Sequence, residues 1–237
     1  MGLIGSLHGR LLAAARRRGF ARNPATMEAA LARCAARAHR MRTVIDVGAS
    51  DGRWSRVARG ILPPAHYFML DARSEHQPGL ARTAANPGFS YQICAAGNRN
   101  GEIYFDATAL FGGQASDTPY DKNCIVVPVR TLDSLVAERA LEGPFAIKLD
   151  THGYEVQILE GAPETLKRTA LLIIECYNFR MTPQTLLAHE MCAYLAERGF
   201  RCIDLCDPLY RARDGALWQM DLFFAPDTHA AFESNSY

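Results

Sequence analysis

The segment at residues 43–52, TVIDVGASDG, constrains this chain more than any other. Thr43, Val44 and Ile45 lead into Asp46, and Gly48 and Gly52 stand four apart behind it. That order is a buried strand running into a tight loop and then a helix from near Arg53, an arrangement that brings a ligand against bare backbone. A dinucleotide fingerprint requires G-x-G-x-x-G, whereas Ala49, Ser50 and Asp51 separate these two glycines. A nicotinamide enzyme is therefore disfavoured.

Strand and helix signals alternate from here: HYFMLD, a helix over 74–85, FSYQIC, CIVVPV, a helix over 131–138, PFAIKLD, LLIIE, a helix over 183–198, FRCIDL and WQMDLFFA. Such alternation implies parallel strands joined by crossover helices, hence an α/β doubly wound sheet with helices on both faces. The last two strands are joined by a short polar loop and should be antiparallel. Ahead of the first strand, Thr26 can cap a helix that places Met27, Ala30, Leu31, Cys34 and Ala38 on one side. Between Cys94 and Cys124 the pattern breaks into a hairpin-like NRNGEIYF and a loop over 107–123, and long loops in compact domains are commonly functional.

With 49% hydrophobic residues among 237, the chain can bury one sizeable core. We expect a basic helical extension at 1–42 and one domain over 43–237. The formal net charge of +1 is unevenly placed: nine arginines oppose Glu28 alone before Thr43, leaving the remainder at −7. An acidic body argues against duplex nucleic acid as a partner, although the basic N-terminus could dock an anionic one. Seven cysteines without a CxxC pair read as buried free thiols of a reducing compartment. No stretch has the length of a membrane span, and a cytoplasmic location is expected. Oligomeric state is not legible.

In an open parallel sheet, ligands sit beyond the carboxyl ends of the strands. Asp46, Asp71, Asp150 and Glu175 end four strands here, and neighbouring carboxylates repel unless a ligand or cation offsets them. Asp71 lies about twenty residues beyond the glycine loop, where an acid can accept from both ribose hydroxyls; the competing role is a helix cap.

Several motifs then combine. VIDVGASDG, CAAGNRNGEIYF, VPVRTLD, IKLDTHGYEVQILEGA and LLIIE, in that order and spacing, resemble the FkbM-type S-adenosylmethionine-dependent methyltransferases from about Thr43 to Glu175. The resemblance implies the Rossmann-like class I methyltransferase fold, seven mostly parallel strands with an antiparallel last strand. It also implies methyl transfer from S-adenosyl-L-methionine to a hydroxyl of a carbohydrate or natural-product acceptor. By resemblance Asp46, Gly48, Ala49, Ser50 and Gly52 form the cofactor loop, Asp71 is the ribose acid, and Ala95 with Ala96 lies beside the adenine. Asp150 and Gly153 match the family's fourth-strand motif and Glu175 its fifth-strand acid, and Asp150, His152 and Glu175 are the candidate catalytic residues. The family usually has Asn at position 50 and often Glu at position 152, so His152 is a departure that touches the chemistry.

Removing a hydroxyl proton during methyl transfer suits a histidine within hydrogen-bond reach of the oxygen. The alternative is a solvent-facing or capping His152. Asp150 acts either as base or orienting acceptor, or as a magnesium ligand shared with Glu175 and Asn178; the resemblance requires no metal, and none is assigned. Glu175 has a second reading as counter-charge to Lys148. The loop 107–123, with Phe111, Gly112, Gly113, Gln114 and Tyr120, is the candidate acceptor lid, and Tyr177, Asn178 and Phe179 are its opposite wall. A methyltransferase of RNA or protein, or a non-catalytic module binding the cofactor, are the rival readings.

Overall fold

The computed structural model describes residues 24–37, 40–62 and 65–235. Most of the basic N-terminal run lies outside them. The first helix among the described residues, α1 (Met27–Ala36), starts at the Thr26 cap, whose hydroxyl accepts from the Ala29 amide at 3.3 Å. Among the described residues, eleven strands and six further α-helices follow: β1 (Thr43–Val47), α2 (Arg53–Ile61), β2 (His66–Asp71), α3 (Gln77–Ala84), β3 (Phe89–Ile93), β4 (Ala95–Ala96), β5 (Gly101–Asp106), β6 (Ala115–Ser116), β7 (Cys124–Arg130), α4 (Leu132–Glu138), β8 (Phe145–Leu149), α5 (Glu155–Glu160), α6 (Pro163–Leu166), β9 (Thr169–Tyr177), α7 (Ala188–Ala196), β10 (Phe200–Tyr210) and β11 (Leu217–Pro226).

The main sheet has seven strands in the order β10-β11-β9-β8-β1-β2-β3. β3, β2, β1, β8 and β9 are mutually parallel, and β11 runs against both β9 and β10. This is the doubly wound sheet with one reversed strand expected from the sequence. The central strands β1 and β8 are buried along their whole length, so both faces must be covered. One face packs Val44, Tyr67, Ala146 and Ile173 against Leu31 of α1 and Ala58 of α2. The other packs Ile45, Phe68, Ile147 and Ile174 against Leu135 of α4, Ile158 of α5 and Leu195 of α7.

Three features depart from the expected elements. β4, β7, β5 and β6 form a second, four-stranded sheet, whose Ile103, Val127 and Val129 pack into the same core as α4 and α5. Alternating patterns in GEIYFD and CIVVPVR mark strands but do not say which sheet a strand joins. The helix expected from Pro183 begins only at Ala188. Thr182 and Thr185 instead bond each other's backbone amides, and Glu190 caps the Leu187 amide at 2.8 Å. Finally, Arg33 of α1 and Arg37 at its C-cap both pair with Asp204 of β10, at 2.8 and 2.9 Å. No helix among the described residues is long and apolar enough to cross a membrane. All seven cysteines are free thiols, but only Cys34, Cys94, Cys176 and Cys206 are buried, and Cys202 is exposed on β10.

Candidate active site

A cavity of about 390 Å³ opens at the carboxyl ends of β1, β2, β8 and β9, within the range of about 300–1,000 Å³ usual for small-molecule sites. Gly48 and Ser50 of the glycine loop, Asp71, Ala95 and Ala96 line it, as do Asp150, His152 and Glu175. Two glycine-loop residues and a strand acid therefore meet three groups that lie about a hundred residues further along the chain.

The loop is forced into shape by close packing. Gly48 has φ +79, and a Cβ there would lie 2.0 Å from the Asp150 carbonyl oxygen, so only glycine lets β1 leave the sheet this close to β8. Ser50 is a positive-φ residue whose amide donates to Asp71 Oδ2 at 2.7 Å. Asp71 Oδ1 accepts from the Arg73 amide at 2.9 Å, a bond within the turn rather than a helix cap, since the 3-10 turn Ser74–His76 starts after Arg73 without a side-chain cap. Asp71→Ala removes the acceptor facing the cavity and the anchor of the loop together. We expect it to weaken S-adenosylhomocysteine binding by about ten- to a hundred-fold, from hydrogen bonds to a charged group of about 1.5–3 kcal/mol. Titration calorimetry checks this, and unchanged affinity would remove Asp71 from the ligand.

Three residues of the expected cofactor loop do not reach the cavity. Asp46 is fully buried and lies on the α1/α2 side of the sheet, because side chains alternate along β1 and Val47, one residue later, takes the cavity wall. Its Oδ2 accepts from the Ser55 hydroxyl at 2.7 Å. Ala49 packs in a small core with Met69 and Leu80. Gly52 precedes α2 with its backbone against Met69 and Thr83.

At the other end, Asp150 stands just beyond the tip of β8 with Lys148 Nζ donating to its Oδ2 at 2.8 Å. Lys148 is 4% exposed, lies 3.9 Å from Asp46 Oδ1 and sits over the Trp54 ring. Its counter-charges are thus Asp150 and Asp46, not Glu175 as the sequence allowed. Burial raises the Asp150 carboxyl, but the Lys148 ammonium overcomes it and holds the group below its ordinary range. Glu175 goes the opposite way, pushed up to about 8 by burial and by the neighbouring Asp150 charge. Its oxygens accept from Gln219 Nε2 at 2.5 Å and from the Tyr177 hydroxyl. Asp150 carries the charge of the pair and Glu175 the proton.

Because the raised Glu175 favours the protonated form in the fold, its contribution to stability is complete below about pH 4.5 and declines as pH rises towards 8. Glu175→Gln, fixed in the neutral form, should accordingly gain stability relative to wild type between pH 5 and pH 8.5. Urea unfolding at the two values tests this; a constant difference would refute it.

His152 occupies the gap between these acids. Its Nε2 lies 3.7 Å from both Asp150 Oδ1 and Glu175 Oε2, beyond direct hydrogen bonding to either. The ring is 24% exposed, and the backbone is left-handed at φ 55. Glu155, missed in the sequence, clasps this turn: its Oε1 accepts from Thr151 Oγ1 and from the Gly153 amide, each at 3.0 Å, one on either side of His152. Glu155 is 3% exposed. A glutamate at the start of a helix gives no sequence sign that it faces back into the preceding turn.

Asp150, His152 and Glu175 offer ligand atoms within 4.8 Å of one another, close enough to share a cation. Asp150 Oδ2 already accepts from Lys148, and both Glu175 oxygens accept from Tyr177 and Gln219, whereas the His152 ring makes no such bond to either acid; Asn178 does not line the cavity. The candidate lid also sits differently. Leu110 to Gly113 line the cavity, but the contacts of this stretch are with Arg73, His76 and Arg53 around Asp71. Tyr120 is not in the wall, and Tyr177 is buried behind Glu175. Phe179 stacks on Trp218.

The family model described as the methyltransferase FkbM domain matches residues 46–202, from Asp46 through the glycine loop and the Asp150–Glu175 cluster. The chain belongs to the FkbM methyltransferase family. It is an S-adenosylmethionine-dependent methyltransferase with the class I fold. Solved structures similar to it include a putative RNA methyltransferase from Pyrococcus horikoshii, 11% identical over 84% of this chain and 82% of that one, with a TM-score of 0.46. A precorrin-6y C5,15-methyltransferase from Geobacter metallireducens is 10% identical over 83% and 86% of the two chains, with a TM-score of 0.43. An O-methyltransferase family protein from Burkholderia thailandensis is 12% identical over 84% of this chain and 55% of that one, at 0.46. No curated protein matches the chain.

The residues fit the cofactor of such a family. Ser50 Oγ is buried in the loop without a hydrogen-bond partner, and Asp71, a pure acceptor, stands beside it in the wall. Those are the groups that would hold a ribose. Ala95 and Ala96 leave a small, apolar surface suited to a flat base.

Proposed function

We propose that this methyltransferase transfers its methyl group to a hydroxyl oxygen of a small carbohydrate or natural-product acceptor, with His152 as the base. The observation that carries the reading is His152 Nε2, held 3.7 Å from Asp150 Oδ1 and from Glu175 Oε2 in the wall of the cavity that Asp71 also lines. The bound cofactor supplies an electrophilic methyl on a sulfonium, and what remains for the protein is to orient the acceptor hydroxyl and take its proton.

Each residue then has a task. His152 accepts the hydroxyl proton, and the charge of Asp150 stabilises the imidazolium that results. Glu155 fixes the turn that carries the ring. Lys148 keeps Asp150 ionised. Glu175, protonated around neutral pH, presents a neutral carboxyl to the acceptor without adding a second negative charge beside Asp150. Asp71 and Ser50 hold the ribose, with Gly48, Ala95 and Ala96 as the close-fitting wall.

Two measurements test the reading. Calorimetry should show S-adenosylhomocysteine binding to the full chain, and a panel of sugar and polyol hydroxyls should yield a methyl ether for at least one member. Binding without any methylated hydroxyl would favour a non-catalytic module. Salt-sensitive methylation of RNA would favour the rival acceptor class. With His152 as base rather than metal ligand, dialysis against a chelator is expected to leave turnover unchanged; loss restored by magnesium would reassign Asp150, His152 and Glu175 to a cation.

A further inference from the structure

We propose that His76 recognises the nucleoside half of the cofactor, offering Nε2 as a hydrogen-bond acceptor to the purine amine or to a ribose hydroxyl. The inference rests on the reading of this cavity as an S-adenosylmethionine site. His76 ends the 3-10 turn Ser74–His76, just before α3, and it lines the cavity with Asp71 and Arg73. It is 8% exposed, and among the described residues neither ring nitrogen makes a hydrogen bond.

The ring is nevertheless fixed on two sides. Nδ1 lies 3.0 Å from Asp71 Oδ1, an electrostatic contact that favours the tautomer with its proton on Nδ1. Nε2 is then the acceptor. Phe111 stacks on the ring with centroids 5.6 Å apart and planes 21° from parallel. Phe111 is in turn held under the Arg53 guanidinium, 5.4 Å from its centroid, while Arg73 Nη1 donates to the Ala109 carbonyl at 2.6 Å. The strap from the second sheet thus presses the imidazole into one orientation beside the ribose acid. A nitrogen buried in a cavity wall without a partner is costly, and a ligand donor removes that cost.

His76→Phe tests the assignment, because phenylalanine keeps the ring and its stacking on Phe111 and removes both nitrogens. Calorimetry on the full chain would compare S-adenosylhomocysteine, S-inosylhomocysteine, which lacks the purine amine, and 2′-deoxy and 3′-deoxy analogues, each of which lacks one ribose hydroxyl. We expect His76→Phe to bind S-adenosylhomocysteine at least about ten-fold more weakly. The analogue missing the group that Nε2 contacts should lose little, which tells the amine from the hydroxyls. Unchanged affinity, or the same loss for every ligand, overturns the proposal. If the wild-type chain binds none of these ligands, the cofactor reading itself falls and this one with it. His76→Leu, which also removes both nitrogens, is read in the same way should His76→Phe not fold.

Discussion

His152→Ala should lower turnover by about 10²- to 10⁴-fold, the usual contribution of a positioned acid or base, while S-adenosylhomocysteine binds with wild-type affinity. The split follows from the geometry. His152 neighbours Asp150 and Glu175, whereas Asp71, proposed to hold the ribose, is tied to the Ser50 amide and the Arg73 amide. Alanine loses the imidazole but leaves the Glu155 clasp intact, because that clasp uses Thr151 and the Gly153 amide rather than the ring. One complication is backbone: His152 is left-handed, a region where alanine is strained. His152→Asn, which tolerates that conformation and supplies no comparable base, separates the two effects. If both variants keep wild-type turnover across pH, His152 does not move the proton.

Lys148→Met should cost about 3–5 kcal/mol of stability at pH 7, the range found when one partner of a buried ion pair is removed. Among the described residues, the ammonium is the one positive group within 4 Å of both Asp46 and Asp150. Asp46 is fully buried, its Oδ1 has no hydrogen-bond partner, and burial already raises its carboxyl above the ordinary value. Without Lys148 two carboxylates must be neutralised or left uncompensated. The deficit should therefore shrink as pH falls and protons replace the lost charge. Adding Asp46→Asn should recover part of it, since the double variant no longer buries that acid. Urea unfolding at pH 7 and pH 5 reads both effects, and a loss below about 1 kcal/mol at pH 7 would show that the pair is not what holds these strand tips together.

Much of the architecture was legible because it follows from local pattern. TVIDV, HYFMLD and FAIKL are continuous apolar strands, the signature of a sheet covered on both faces, and Gly48 marks the point where the chain must turn within contact of another backbone. Asp71, Asp150 and His152 could be placed at the cavity because each stands at or just past a strand end. Asp46 could not, although it belongs to the same motif. It precedes the strand end by one residue, and with a period of two that single step moves a side chain to the other face. The second sheet, the clasp of Glu155 and the pinned ring of His76 all depend on segments brought together from elsewhere in the chain.

Sequence alone determined the doubly wound fold, the family and a set of acids near the strand ends, since strand periodicity, glycine positions and motif spacing are properties of neighbouring residues. Only the tertiary structure decided which of those acids line the cavity and which lie against a buried lysine. It also decided which carboxylate is ionised. Both depend on burial and on distances between side chains far apart in sequence: Lys148 lies against Asp150 and Asp46, and the Asp150 charge raises Glu175. Charge interactions fall off with separation and strengthen with burial, and neither quantity exists until the sheet has assembled.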